Sequence, residues 1–148
     1  MGIDFLKEQV GNLFDVDNSY AIAHCVSQDF KMGAGIAKQF RSHYPEIAEH
    51  CLSQNPKIGN AVMYEHDGKI IFNLVTKKYY HNKPTYMSLE KTLIDLKKQM
   101  NQMGLQKIAM PLIGCGLDRL NWQKVKDIIL STFRDAGIEI IVCRIEGV

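Results

Sequence analysis

Blocks of apolar residues recur along the chain in a pattern that predicts strands alternating with helices. Residues 20–26 form a short, almost entirely apolar run, which is typical of a central strand covered on both faces. Two further strand-like runs, at residues 61–65 and 69–76, flank a turn that contains Asp67-Gly68. Because Asp-Gly is a strong hairpin signal, these two strands are predicted to be antiparallel, which makes the sheet mixed.

The clearest helix is predicted over residues 85–103, where Thr85 caps the start and Gly104 ends the helix. Its apolar face carries Leu89, Leu93, Leu96, Met100 and Met103 at helical spacing. A second helix is predicted to begin at the N-cap Asn121 and to stop at Gly137. The inward-facing residues of this second helix are Val125, Ile128, Ile129 and Phe133.

Three more segments complete the predicted order. A short helix opens over residues 35–40, and strands are predicted at residues 107–112 and 138–145. Alternating strands and helices favour a three-layer α/β/α domain around a central mixed sheet, with residues 1–148 forming one domain. In such sheets ligands gather at the carboxyl ends of the strands.

Composition narrows the classes of protein. A hydrophobic fraction of 46% and a charged fraction of 23% over 148 residues are typical of a globular domain. The net charge of +2 is small for a nucleic-acid-binding protein, so such a partner is not expected. Residues 1–10 lack the apolar centre of a signal peptide, and no apolar run predicts a membrane span.

The cysteines and acidic residues predict no metal site. Cys25, Cys51, Cys115 and Cys143 form no C-x-x-C pair, and no histidine lies at zinc-ligand spacing from them. Reduced, partly buried thiols favour a cytoplasmic location. We therefore expect a cytoplasmic protein without metal or cofactor, and we expect a monomer.

Two glycine-rich loops follow predicted strands, at residues 31–38 (K-M-G-A-G-I-A-K) and 111–119 (P-L-I-G-C-G-L-D-R). Glycines at a strand exit let backbone N–H groups approach an anion, and the first loop also feeds a helix N-terminus. The first loop matches neither the dinucleotide fingerprint, since Lys38 stands where a small residue is needed, nor the G-K-S/T ending of a Walker A loop. Both loops can equally be read as tight turns.

Five segments, taken in order, carry a resemblance to a known family: H-C-V-S at 24–27, K-M-G-A-G-I-A at 31–37, V-T-K-K at 75–78, K-P-T-Y at 83–86 and G-C-G-L-D-R-L-N-W at 114–122. Together they resemble the macrodomains, and among these the type that removes terminal ADP-ribose from proteins and deacetylates O-acetyl-ADP-ribose. The similarity runs from about residue 11 to about residue 145. Other macrodomain hydrolases carry an Asn-rich first loop, and H-C-V-S stands in its place here.

The resemblance implies ADP-ribose in a cleft across the sheet, with adenine near Asn12, Leu13 and Phe14. The implied ligand-binding residues are Asn12, Leu13, Ser27, Met32, Gly33, Ala34, Gly35, Ile36, Thr76, Pro111, Ile113, Gly114, Cys115, Gly116 and Leu117. In this branch Lys77 would attack the anomeric carbon of the distal ribose, and Asp118 would be its acid/base partner. Without the resemblance, Lys77 is an ordinary solvated lysine at a strand exit.

Several residues carry a second interpretation. Cys115 is read as a small packing residue rather than a nucleophile, and His24 as a hydrogen-bonded core histidine. Asn12 stands where most macrodomains have Asp, which predicts weaker or less selective adenine binding because a charge is lost. The loop at residues 79–86 is aromatic and basic, so it either covers the cleft, binds a macromolecular substrate or is a plain surface loop.

The function predicted from the resemblance is hydrolysis of ADP-ribosyl esters. The expected substrates are O-acyl-ADP-ribose and mono-ADP-ribose on Glu or Asp of proteins. Three alternatives stay open: a non-catalytic ADP-ribose reader, a phosphatase that acts on the ADP-ribose phosphate monoester, and a hydrolase that acts on ADP-ribosylated nucleic acid. The presence of both Lys77 and Asp118 speaks against the reader.

Overall fold

A computed structural model describes residues 5–144, which form one six-stranded sheet in the order β1-β6-β5-β2-β4-β3. The strands are β1 (Leu6–Val10), β2 (Ala21–Ser27), β3 (Ala61–His66), β4 (Lys69–Lys77), β5 (Lys107–Met110) and β6 (Glu139–Arg144). The helices are α1 (Gly35–His43), α2 (Ile47–Leu52), α3 (Tyr86–Met103) and α4 (Trp122–Phe133), with a 3₁₀ turn at Leu13–Asp15. Five strands are parallel, and β3 alone runs antiparallel, beside β4.

Each face of the sheet has its own hydrophobic core, because successive residues of β2 point to opposite faces. Ala23 packs with Leu93 of α3 and Val125 of α4 on one face. Ile22 packs with Phe40 of α1 on the other face. The three-layer α/β/α arrangement predicted from the sequence is confirmed, and it leaves the carboxyl ends of five strands at one edge.

Local sequence signals explain several boundaries. Asp67 and Gly68 both have positive φ angles, 49° and 82°, as a tight turn between antiparallel strands requires. Thr85 and Ser88 form a reciprocal capping box at the start of α3, and Gly104 closes this helix in the left-handed conformation. The predicted hairpin and the predicted start and end of α3 are therefore confirmed.

Some predictions differ from the structure. Met103, the last residue of α3, is 42% exposed, so it is not part of the core. Helix α4 ends at Phe133, four residues before Gly137, because Arg134 leaves the helical conformation. The strand after Gly104 ends at Met110 rather than Leu112. The predicted end of the last strand at residue 145 lies outside the described residues.

His24 lies in the core, as the sequence predicted. It is fully buried in β2, its Nε2 lies 2.6 Å from Asn73 Oδ1, and its ring stacks on Phe40 at 3.8 Å between centroids. Desolvation lowers the pKa of His24 to about 4, although the hydrogen bond to Asn73 acts in the opposite direction. The imidazole is therefore neutral at physiological pH and serves packing. No helix of residues 5–144 is long and apolar enough to cross a membrane.

Candidate functional site

The connections that follow two neighbouring parallel strands, β5 and β2, lead to opposite faces of the sheet. The loop after β2 leads to α1 on one face of the sheet, whereas the loop after β5 leads to α4 on the other face. The two loops diverge from adjacent strand ends and leave a crevice between them. Such a topological switch point is where open α/β sheets bind ligands, and both glycine-rich loops lie there.

The first loop is held in a strained backbone conformation. Phe30 and Met32 have positive φ angles of 50° and 47°, although both side chains are buried. Gly35 follows at a φ of 59° and begins α1, and the N-cap residue Ala34 offers no side-chain cap to the helix. The N–H groups of the first turn of α1 are therefore open to an anion, which the helix dipole also favours.

The second loop needs its first glycine for a steric reason. Gly114 has a φ of 73°, and a Cβ placed there would lie 2.9 Å from Leu120 Cδ1. Further along, Leu117 is 70% exposed, and its Cδ1 would lie 3.2 Å from a Cβ on Gly35. The two loops therefore meet across the crevice, because Gly35 leaves room for the Leu117 side chain.

Lys77 and Asp118, 41 residues apart in sequence, form an ion pair between these loops. Lys77 Nζ lies 2.7 Å from Asp118 Oδ1, and the two side chains are only 14% and 18% exposed. Lys77 ends β4 and Asp118 follows β5, the two strands that flank β2. The pair therefore lies over the end of β2, in the crevice that the glycine loops form.

A break in strand register sets the position of Lys77. Val26 pairs with Val75, but Ser27 pairs with Lys77, so Thr76 is left out of the ladder. The Thr76 carbonyl instead accepts a hydrogen bond from Ser88 Oγ at 2.6 Å, and the Lys77 carbonyl accepts one from Gln28 N at 2.8 Å. Bulges of this kind re-aim side chains beside functional sites.

The two cysteines nearest the crevice are poor nucleophiles. Burial raises the pKa of Cys115 to about 11, and its thiol donates to the Ile113 carbonyl at 3.3 Å. Burial also raises the pKa of Cys25, and the nearby Asp118 carboxylate raises it further. Both thiols stay protonated near neutral pH, which agrees with the interpretation of Cys115 as a packing residue.

Asp29 is a residue that the sequence analysis missed. Its Oδ1 accepts hydrogen bonds from Ser27 Oγ and from Lys31 N, the latter at 3.3 Å, and its Oδ2 accepts one from Tyr80 N at 3.2 Å. Burial works against ionisation, but these hydrogen bonds outweigh it and lower the pKa of Asp29. Asp29 thus ties the first loop to the segment after β4. Its main partners are backbone groups, so no motif could have shown this role.

The predicted adenine end lies at the far side of the sheet. Asn12 follows β1, which is four strand spacings, about 19 Å, from β4. Asn12 is exposed, and its Oδ1 accepts a hydrogen bond from Phe14 N at 2.9 Å. The Phe14 ring stacks on His43 at 4.1 Å between centroids. An elongated ligand could therefore extend from Asn12 to Lys77 along the strand ends.

The remaining predicted ligand-binding residues divide by exposure. Gly33, Ala34, Gly35, Gly116 and Leu117 are exposed on the two loops. Ile36, Pro111 and Cys115 are half-buried, and Leu13, Ser27, Met32, Thr76, Ile113 and Gly114 are buried. In this geometry the exposed residues can touch a ligand directly, whereas the buried side chains support the loops from below. Among residues 5–144, no cluster of three or more His, Cys, Asp or Glu side chains could hold a metal ion.

An open groove of about 550 Å³ lies elsewhere, on the outer side of the edge strand β3. Two side chains of α3 that line it cover the edge: Asp95 Oδ2 accepts from Ala61 N at 2.8 Å, and Gln99 Nε2 donates to the Ala61 carbonyl at 2.6 Å. These contacts protect an edge strand from pairing with other chains. The groove is therefore a feature of the sheet edge, and the Lys77–Asp118 pair does not line it.

The fold and the crevice define a class: a three-layer α/β domain with two glycine loops and a half-buried Lys–Asp pair at the switch point of its sheet. The Macro domain family model matches residues 23–129, which is more than half of the chain. The chain belongs to the Macro domain family.

Individual relatives agree with this assignment. The chain is 40% identical over 132 residues to the ADP-ribose glycohydrolase OARD1 of Homo sapiens, covering 89% of this chain and 86% of that protein. It is 30% identical over 132 residues to the DNA ADP-ribosyl glycohydrolase of Mycobacterium tuberculosis, covering 84% of this chain but 37% of that protein. The solved macrodomain of M. tuberculosis DarG superposes with a TM-score of 0.83 at 26% identity, covering 93% and 96% of the two chains.

Proposed function

We propose that this protein is an ADP-ribose hydrolase that cleaves ADP-ribosyl esters. Its substrates would be mono-ADP-ribose on Glu or Asp of proteins and O-acyl-ADP-ribose. The observation that carries the proposal is the Lys77–Asp118 pair, 2.7 Å apart and largely shielded from water at the junction of the two glycine loops. The 40% identity to an ADP-ribose glycohydrolase supports the same class of reaction.

Substrate binding would place the diphosphate between the loops. The open N–H groups at the start of α1 are suited to phosphate oxygens. With adenine near Asn12, the distal ribose would reach the Lys77–Asp118 pair. The ribose would then lie against the pair, which positions the anomeric carbon for attack.

The first chemical step would use the pair as nucleophile and base. Asp118 accepts a proton from the Lys77 ammonium, which frees the amine lone pair. The Lys77 nitrogen then bonds to the anomeric carbon as the carbon–oxygen bond to the Glu or Asp carboxylate breaks. The bond electrons leave with the carboxylate, and Asp118 returns its proton to the leaving group or to the solvent.

Release would need only water. Opening of the ribose ring converts the adduct to a Schiff base between Lys77 and the sugar. Water adds to the same carbon with Asp118 as base, the carbon–nitrogen bond breaks, and the Lys77 amine is regenerated. For O-acyl-ADP-ribose, where the acyl group is on a neighbouring hydroxyl, Asp118 would take a proton from water as the water oxygen attacks the acyl carbonyl. The bond from the acyl carbon to the sugar oxygen then breaks, and Asp118 returns the proton to that oxygen.

Hydrolysis of ADP-ribosylated DNA is the second candidate. It is favoured by the 30% identity to a DNA ADP-ribosyl glycohydrolase. The net charge of +2 argues against it, because binding to a phosphate backbone is normally driven by a stronger basic charge. Steep salt dependence of binding would favour this candidate.

A time course with glutamate-linked, serine-linked and DNA-linked ADP-ribose tests the proposal. We expect turnover of the glutamate-linked substrate, and loss of that turnover in both Lys77→Ala and Asp118→Ala. Tight ADP-ribose binding by the wild type without turnover of any substrate would instead support a non-catalytic reader. Release of inorganic phosphate from the ADP-ribose phosphate monoester, measured in parallel, would support the phosphatase alternative.

A further inference from the structure

The segment directly after Lys77 carries exposed aromatic rings that the proposed chemistry does not use. Residues 78–83, here called the aromatic loop, read K-Y-Y-H-N-K. Tyr79 is 45% exposed and Tyr80 is 60% exposed, and His81 is also exposed. A cluster of exposed aromatic side chains marks a binding surface more often than a single exposed aromatic residue does.

The aromatic loop is ordered by its own hydrogen bonds. Tyr79 N donates to Asn82 Oδ1 at 2.9 Å, and Asn82 N donates to the Tyr79 carbonyl at 3.0 Å. Tyr80 N donates to Asp29 Oδ2 at 3.2 Å, which fixes the loop to the first glycine loop. A surface that is already ordered loses little conformational entropy when a partner binds, so these rings are suited to docking.

The rings of the aromatic loop contact each other. Tyr79 and His81 stack with their planes 2° apart and their centroids 5.7 Å apart, and Tyr80 meets His81 edge-on at 5.2 Å. Lys78 Nζ lies 5.4 Å from the Tyr79 ring centroid. Because the Tyr79 ring is engaged by both His81 and Lys78, it offers less free face for nucleic-acid bases to stack on.

The charge around the loop is positive. Lys78 and Lys83 are exposed within it, and Lys31 is exposed on the neighbouring glycine loop. Asp118 is paired with Lys77, so the carboxylate of Asp29 is the one acidic group of these loops that is set against the three lysines. The free charge at this rim therefore favours an anionic partner.

We propose that the aromatic loop docks an acidic polypeptide segment that flanks the ADP-ribosylated side chain. This inference rests on the proposed function and adds the macromolecular part of its substrate. The tyrosine rings and hydroxyls would contact the peptide backbone and apolar side chains, while Lys78 and Lys83 would face its carboxylates. Unmodified Glu or Asp residues beside the ester supply such carboxylates, whereas bases stacked on Tyr79 would compete with the His81 and Lys78 contacts that its ring already makes.

The test compares one small and two macromolecular substrates: O-acetyl-ADP-ribose, a glutamate-ADP-ribosylated acidic peptide, and ADP-ribosylated single-stranded DNA. The variants are Tyr80→Ala and the double substitution of Lys78 and Lys83 by Ala. Ile94→Ala and Lys98→Ala on α3 are matched controls, since both side chains are exposed there. All of these side chains are exposed, so the variants should stay folded, which circular dichroism would verify.

We expect kcat/KM for the acidic peptide to fall about tenfold in each loop variant, while turnover of O-acetyl-ADP-ribose stays within about twofold and the controls match the wild type. Raising salt should weaken the reaction of the acidic peptide more than that of O-acetyl-ADP-ribose. An unchanged peptide reaction would overturn the proposal, as would an equal loss on all three substrates. A loss confined to the DNA substrate would also overturn it, in favour of nucleic acid. Inactivity of the wild type on every substrate would instead refute the proposed function.

Discussion

Acid should destabilise this fold through one buried imidazole, because His24 cannot easily accept a proton where it lies. It is fully buried between the sheet and α1, and its pKa is lowered from 6.5 to about 4. In the unfolded chain the imidazole takes up a proton at about its ordinary pKa. The folded protein therefore binds fewer protons than the unfolded one in the window between pH 6.5 and pH 4.

The sign and size of the effect follow from that difference. The stabilisation is fully present above pH 6.5 and is lost as the pH falls toward 4. Each pKa unit corresponds to about 1.4 kcal/mol, so the shift of His24 makes the free energy of unfolding fall by about 3 kcal/mol across the window. This is a large part of the total stability of a small domain.

Urea unfolding measured from pH 7.5 to pH 4.5 is the assay, with His24→Phe as the comparison. The variant removes the buried titrating group while it keeps an aromatic ring against Phe40. Glu8 and Asp29, whose pKa values are also lowered, affect stability mainly below pH 4.5, so they contribute little in this range. If the wild type and His24→Phe lost stability with the same slope between pH 6.5 and pH 5, the argument for a neutral buried His24 would be refuted.

Three further predictions concern the loops and the adenine end. Gly114→Ala should destabilise the fold by about 1–2 kcal/mol in urea unfolding, because the φ of Gly114 is 73° and a Cβ there would meet Leu120. The control Gly116→Ala should change stability little, because Gly116 has no positive φ and a Cβ there would have nothing within 4 Å. Equal effects of the two variants would contradict the steric argument. Asn12→Asp should tighten ADP-ribose binding in calorimetry by about tenfold. One carboxylate oxygen of the new Asp side chain can keep the hydrogen bond from Phe14 N, while the other accepts one from the adenine amino group. An unchanged affinity would contradict this prediction. Asp29→Ala should cost about 1–2 kcal/mol of stability and weaken ADP-ribose binding, while the exposed Glu90→Gln should do neither.

Strong local signals made parts of the fold predictable. Thr85 and Gly104 bound α3 because capping and the left-handed glycine act within a few residues of the chain. Strand β1 and helix α2 were not predicted. Strand β1 is an edge strand with exposed polar residues, and its Glu8 is neutralised by Lys126 and Arg144, both distant in sequence. Helix α2 was not predicted because its six residues are too few for a periodic pattern.

The residues of the candidate site were predicted unequally, because their contacts join parts of the chain that are distant in sequence. Lys77 and Asp118 were identified by resemblance alone, since only the order of β5, β2 and β4 brings them together. Asp29 stayed hidden because one of its partners is a backbone N–H 51 residues away. Contacts made through the backbone across strands leave no pattern in the sequence.

In the proposed mechanism Lys77 attacks the anomeric carbon of the distal ribose, and Asp118 accepts and donates the proton. Incubation with glutamate-linked ADP-ribose and cyanoborohydride should reduce the Schiff base to a stable secondary amine, and peptide mass spectrometry should locate the adduct. We expect the ADP-ribose mass on Lys77 of the wild type, no such adduct in Lys77→Arg, and a strongly reduced yield in Asp118→Asn. Normal turnover by Lys77→Arg, or an adduct found equally on the exposed Lys78, would contradict the account.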